Sequence, residues 1–296
     1  MRDPEYDRFG PWAVEISDAD PPPPLFLPYL TRNESPLLAI KIPRSIERHK
    51  ARAGMNLYDY MVSLYADDLM ILQRVDDGVH RQTLLYRDIQ ALRYAEELLK
   101  GTVHLFLKSQ THKLPFNTVS KALMQRMVVL IRGRYVEEIS VAPPVYDLVA
   151  YHEDLSFYFT NLLAAEQACK PDLRLMATQA DTPVGTHESG VRKLFFGAFG
   201  KTLLESMHLY DGGELKIIDR GQDFRYAWQS AYGRRETYVP LRNICCVDWM
   251  PDPKNAAIVN LNLETAGGRL TFALLRDNPD IQAYANSLST MLENQY

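Results

Sequence analysis

The sequence predicts an α+β architecture that is mainly β: two strand-rich antiparallel meanders, each closed by one C-terminal helix, joined by a helical connector. Three observations carry this. Short apolar runs alternate with period two, as in Val259-Asn260-Leu261-Asn262-Leu263, the pattern of a strand with one buried face. The same succession of runs and turns occurs twice. Each succession ends in apolar residues at helical spacing. At about 100–200 residues per domain, a chain of 296 residues has room for two such domains.

The first copy opens with Ser63-Leu64-Tyr65, an acidic turn at Ala66-Asp67-Asp68, and Leu69-Met70-Ile71-Leu72. The second opens with His208-Leu209-Tyr210, the turn Asp211-Gly212-Gly213-Glu214, and Leu215-Lys216-Ile217-Ile218. The glycines supply the positive-φ tolerance that a tight hairpin needs. Tyr86-Arg87-Asp88-Ile89 then matches Leu241-Arg242-Asn243-Ile244, Val103–Leu107 matches Val259–Leu263, and Leu114-Pro115-Phe116 matches Leu270-Thr271-Phe272. The change of offset falls in one hairpin, where the second copy has the longer segment 221–235. Cys245 and Cys246 fall in a strand, so one of them is expected to point inward as a small hydrophobe.

Asn117 is a plausible N-cap for the first helix, which runs through Val119, Leu123, Met127, Leu130 and Ile131 with Gly133 as its stop. In the second copy Asn278 caps, Pro279 stands at N1, and Ile281, Tyr284, Ala285, Leu288 and Leu292 form one stripe. Two segments lie outside the copies. Residues 1–35 form a proline-rich arm: Pro21-Pro22-Pro23-Pro24 is expected to be extended polyproline II, and Phe9, Trp12, Phe26 and Tyr29 flank it. Residues 136–171 carry Leu148, Tyr151, Leu155, Tyr158, Phe159, Leu162 and Leu163 at helical spacing, the expected connector. The expected division is therefore arm 1–35, first domain 36–135, connector 136–171 and second domain 172–296.

The second copy, read as Tyr238-Val239-Pro240-Leu241-Arg242-Asn243-Ile244-Cys245-Cys246-Val247, then Val259–Leu263, then Thr265-Ala266-Gly267-Gly268 and Leu270–Leu274, resembles bacterial pleckstrin-homology-like domains. The first copy keeps the order but has Leu85 in place of the proline and lacks the glycine pair. The resemblance covers roughly residues 55–135 and 200–296, and implies two PH-like barrels in tandem. Such barrels bind peptides, proteins or lipid head groups, but fold alone does not assign function. Phosphoinositide binders of this class place basic residues between their first two strands. Here those loops are Ala66-Asp67-Asp68 and Asp211–Glu214, both acidic, which argues against that site.

Charge is uneven. The whole chain is −4, yet residues 36–135 carry 16 Lys/Arg against 9 Asp/Glu, and residues 136–296 carry 14 against 21. No acidic residue occurs between Leu98 and Val136, a run holding Lys100, Lys108, Lys113, Lys121, Arg126, Arg132 and Arg134. A second basic cluster is Arg44, Arg48, Lys50 and Arg52. Such a surplus attracts an anionic partner or pairs internally. A sequence pI near 6.0 weighs against nucleic acid.

Catalytic signatures are few. Phe195–Thr202 ends in Gly-Lys-Thr, but Phe195 stands where a P-loop needs glycine, so it reads as a turn packing its phenylalanines. None of the seven histidines pairs at i, i+4, and His152-Glu153-Asp154 reads as a solvated helical turn. No Gly-x-Ser-x-Gly or Cys-x-x-Cys occurs. Carboxylate pairs at Asp67/Asp68 and Asp76/Asp77 sit in turn-like stretches, where Asp is favoured anyway.

Five charged residues in the first eight argue against a secretory signal, and an odd count of three cysteines suits reduced thiols in a cytoplasm. The expectation is a non-catalytic, cofactor-free and metal-free cytoplasmic binding or scaffold protein that docks a protein partner, self-association included, with Trp12, Phe26 and Tyr29 as partner or arm contacts. The alternative is peripheral binding to an anionic membrane or other anionic ligand through Arg44, Arg48, Lys50 and Arg52.

Overall fold

Hydrophobic alternation and turn chemistry lay out a mainly β chain in the computed structural model, which describes residues 4–76, 78–135, 155–184, 201–226, 229 and 231–293. Two compact units emerge, and neither is contiguous in sequence: Met1–Ile89 with Leu98–Leu105 and His112–Tyr135, and Gln90–Glu97 with Phe106–Thr111 and Val136–Tyr296. The contiguous segments 36–135 and 172–296 therefore do not coincide with the compact units. Among the described residues no helix is long and apolar enough to cross a membrane.

The first unit starts with a short helix α1 (Pro4–Arg8) and strand β1 (Val14–Glu15). Pro23 keeps the extended dihedrals expected of the proline run, but Pro24 opens a 3-10 helix, Pro24–Tyr29, which ends that conformation. Then come β2 (Leu38–Pro43), β3 (Tyr58–Leu64), β4 (Asp68–Val75) and β5 (Gly78–Leu85), one antiparallel sheet in sequential order. The β3–β4 turn is the acidic one: the Tyr65 N–H donates to the Asp68 carbonyl at 2.8 Å, and Arg32 grips the Asp68 carboxylate with two bonds of 2.9 and 3.0 Å.

A 3-10 turn, Tyr86–Asp88, leads into β6 (Ile89–Glu97), followed by β7 (Lys100–Leu107), β8 (Thr111–Asn117) and helix α2 (Lys121–Tyr135). Asn117 caps the 3-10 turn that precedes α2, its side chain accepting from the Val119 N–H at 3.0 Å. Gly133 lies inside α2, which continues to Tyr135; Tyr135 is buried, so packing outweighs the glycine as a stop signal.

In the second unit β6 adds its Gln90–Glu97 stretch to a sheet of neighbour order β6, β15 (Arg234–Pro240), β13 (Glu214–Asp219), β12 (Ser206–Tyr210) and β9 (Arg174–Gln179). Gly212, at φ +95°, closes the β12–β13 hairpin. After the 3-10 turn Leu241–Asn243, a separate sheet holds β16 (Ile244–Asp252), β17 (Asn255–Thr265) and β18 (Gly268–Leu275), and α4 (Asp280–Glu293) follows. Strands β10 (Thr182–Val184), β11 (Lys201–Leu203) and β14 (Phe224–Tyr226) form a third sheet. The core joins Ile217 and Val239 of the first sheet, Leu261 and Phe272 of the second, and Tyr284 and Leu288 of α4.

The barrels implied by the resemblance are corrected here: the sheets are open. Among the described residues no sheet closes on itself; in the second unit two layers share a side-chain core instead of a continuous hydrogen-bond ladder.

Of the expected connector, residues 136–154, including Leu148, Tyr151 and the His152 cluster, lie outside the described residues. The remainder holds helix α3 (Phe157–Cys169), capped by Ser156 and buried through Phe159 and Leu163. The Phe195–Gly200 turn also lies outside them.

Candidate functional site

The arm is built into the first unit. Phe9 and Phe26 are buried, and Tyr29 packs, among Ala51, Leu57, Tyr58, Met61 and Leu72. Arg48 Nη1 donates to the carbonyls of Tyr6 (2.8 Å) and Phe9 (2.7 Å), and its guanidinium lies over the Tyr6 ring. Buried Lys41 donates to the Pro21 carbonyl at 3.0 Å, and Ser120 Oγ donates to Ala13 O at 3.0 Å. Phe26, Tyr29 and Arg48 are therefore occupied in holding the arm, while Trp12 stays 43% exposed.

Arg44 and Lys50 meet Lys100 and Lys113 along one cleft of about 810 Å³. The β2 end and the segment after it supply Arg44, Ser45 and Lys50; the start of β7 supplies Lys100, and β8 supplies Lys113. Phe116 lines the cleft beside Gly101, where a Cβ would stand 2.2 Å from its ring. Gly101→Ala should push that ring aside, cost about 1–3 kcal/mol and reshape the cleft. A lowered urea midpoint in the variant would check this.

The cleft keeps a positive surplus. Glu47 and Asp59 are its acidic members. Asp59 is held by Arg74 at 2.7 Å, with Arg44 more distant at 3.8 Å. Lys50 meets Glu47 at 2.8 Å, but both are exposed, and such pairs contribute little. Lys100 and Lys113 make no ion pair among the described residues. Arg52 is exposed but outside the cleft.

Beside the cleft stands an apolar tip. Leu98 and Leu99 are 71% and 65% exposed, and Leu98 has φ +51°, an uncommon conformation for a bulky residue. Thr118 fixes this turn: its Oγ1 donates to Leu98 O at 2.7 Å and its N–H to Leu99 O at 3.1 Å. Val119 is exposed next in the chain and lines a second hollow of about 410 Å³ with Trp12, Ala13, Ala122 and Leu123.

No protein-family model matches this chain, and no curated protein matches it.

In the second unit, several buried charges are paired. Buried Lys216 lies 2.6 Å from Glu166 and 3.2 Å from Glu236. Burial pushes the Glu236 carboxyl up, but Lys216 and Arg234 outweigh it and hold it below the usual range. Arg235 bridges Asp219 (2.9 Å) and Asp223 (3.1 Å). Burial raises the Asp219 carboxyl despite that partner.

Ser206, His208 and Asp219 border one small hollow, a constellation the sequence reading missed because its members look unremarkable along two strands. Its volume of about 10 Å³ is room for about one water, not for a substrate carbonyl. His208 Nδ1 already meets the Tyr284 hydroxyl at 3.1 Å. Among the described residues no group of three or more His, Cys, Asp or Glu could hold a metal.

Both Cys245 and Cys246 are exposed, correcting the expectation that one points inward. The strand register shifts between Ile244 and Cys246, a β-bulge. Ile244, Val247 and Trp249 all join the core cluster, and the odd step from 244 to 247 is absorbed by Cys245.

Proposed function

We propose that this chain is a non-catalytic binding protein carrying two copies of a pleckstrin-homology-like unit, and that its first unit engages an anionic bilayer surface. One observation carries the reading: Arg44, Lys50, Lys100 and Lys113 share a cleft whose rim carries the exposed leucine turn at Leu98 and Leu99. Cations near an anionic surface contribute about 1 kcal/mol each, and burying a leucine side chain about 1.5–3 kcal/mol. Residues 58–135 run as three strands, a 3-10 turn, three strands, a second 3-10 turn and a helix; 206–293 repeats that order with the short β14 added before its 3-10 turn and no second 3-10 turn, which supports the two-copy reading. Exposed free thiols at Cys169, Cys245 and Cys246 fit residence in a reducing cytoplasm.

Sedimentation with vesicles tests the reading. Binding should require anionic lipid and fall with added salt. Replacing Lys100 and Lys113 together by Gln should weaken it about 30-fold, two charges at about 1 kcal/mol each. Leu98→Ser should weaken it at high salt as well, because the apolar contribution is not screened. Equal binding to neutral vesicles would remove the electrostatic basis. Arg48, which the sequence groups with Arg44, Lys50 and Arg52, holds the arm and is unsuited to this test.

A protein partner is the second reading, favoured by the apolar hollow around Trp12 and Val119. It predicts stoichiometric capture of one protein that survives moderate salt and is lost in Val119→Asp.

A further inference from the structure

We propose that Cys245 and Cys246 form a vicinal dithiol site that captures a thiophilic centre taking two sulfur ligands from the protein, the class to which monosubstituted trivalent arsenicals belong. In a regular strand, neighbouring side chains point to opposite faces, and adjacent cysteines could not converge on one ligand. Here the bulge interrupts that alternation. Ile244 faces the core, the extra residue is Cys245, and inward packing resumes at Val247 and Trp249. In a bulge two residues of one strand oppose a single residue of its partner, so the ordinary alternation does not separate their side chains. Cys246 is on the outer face with Asp248, whose Oδ1 lies 3.8 Å from its Sγ, and Cys245 Sγ lies 3.8 Å from the Asn243 carbonyl. Both thiols are exposed and neither is in a disulfide.

The ligand class follows from the donor count. Tetrahedral zinc needs four ligands, usually all from protein in a structural site. No group of three or more candidate ligands exists among the described residues. Two thiols remain, which suits a soft centre satisfied by two sulfurs. With an organoarsenic(III) oxide, two As–S bonds form and the As–O bond breaks. The two thiol protons leave with the oxygen as water, and no atom changes oxidation state.

Phenylarsine oxide added to the reduced, folded full-length chain tests this, with the remaining thiols counted by a chromogenic disulfide. One equivalent should withdraw two of the three thiols and leave Cys169. Cys245→Ser and Cys246→Ser should each weaken capture at least about 100-fold, the lower end of the gain from linking two binding groups. Cys169→Ser should capture as the parent chain does. A dithiol should reverse capture where a monothiol does not. Capture that appears only after unfolding in urea would overturn the proposal, because it would mean that the folded strand holds the thiols apart. Equal capture by either single variant would overturn it too.

Discussion

Acidification from pH 7 to pH 5 should remove about 2 kcal/mol of stability through His208 alone. The side chain is fully buried in the second unit, edge-on to Phe272 and Tyr284, with Nδ1 3.1 Å from the Tyr284 hydroxyl. Burial disfavours the imidazolium and lowers its pKa from 6.5 to about 3. The unfolded chain therefore binds a proton near pH 6.5 that the folded chain refuses until about pH 3. Stability from this group is complete above pH 6.5 and falls as pH drops, by about 1.4 kcal/mol per pH unit, through to the folded value. Asp219 works the other way, since its pKa is raised on folding and acidification relieves its burial. The His208 contribution is isolated by comparison with His208→Leu. Urea unfolding of both chains at pH 7 and pH 5 should show a steeper loss in the parent chain, and parallel losses would refute the assignment.

Phe26→Ala should cost about 3–5 kcal/mol, the range for truncating a buried phenylalanine. The side chain has no exposed surface and anchors the arm among Leu57, Tyr58 and Met61. Against a typical net stability of about 5–15 kcal/mol, that loss is enough to loosen the arm from the sheet. Arg48, Lys41 and Ser120 bind arm carbonyls, so these bonds should be lost together once the aromatic anchor is gone. Limited proteolysis should then cut within residues 9–35 well before the rest of the chain. An arm that remains as resistant as in the parent would show that Phe26 does not anchor it.

The N-terminal aromatics illustrate how much was legible. Their density predicts packing onto the body, and Phe9, Phe26 and Tyr29 do pack there. What Arg48 does was not legible, because its acceptors are carbonyls about forty residues earlier and carry no side-chain signature. The basic clusters show the same limit. Arg44 with Lys50, and Lys100 with Lys113, were visible as separate runs, but only the fold places the four on one cleft. At Cys245 a signal was present and misread. Apolar residues at 244, 247 and 249 have an odd step where a regular strand allows only even ones, and that step marks a bulge.

Alternation, turn glycines and helical stripes determined by themselves where the matched strands and the two closing helices of this chain run, because side-chain period and backbone φ are settled between near neighbours. Gly212 at φ +95° and the alternating burial of β8 are cases of it. Only the tertiary structure decided that the sheets stay open, that the Arg93 guanidinium meets Thr237 at 3.0 Å across β6 and β15, and that cations from distant strands converge. Those outcomes depend on which surfaces repay the entropy of bringing remote segments together, and that balance is struck between whole layers of side chains, beyond the reach of any local pattern.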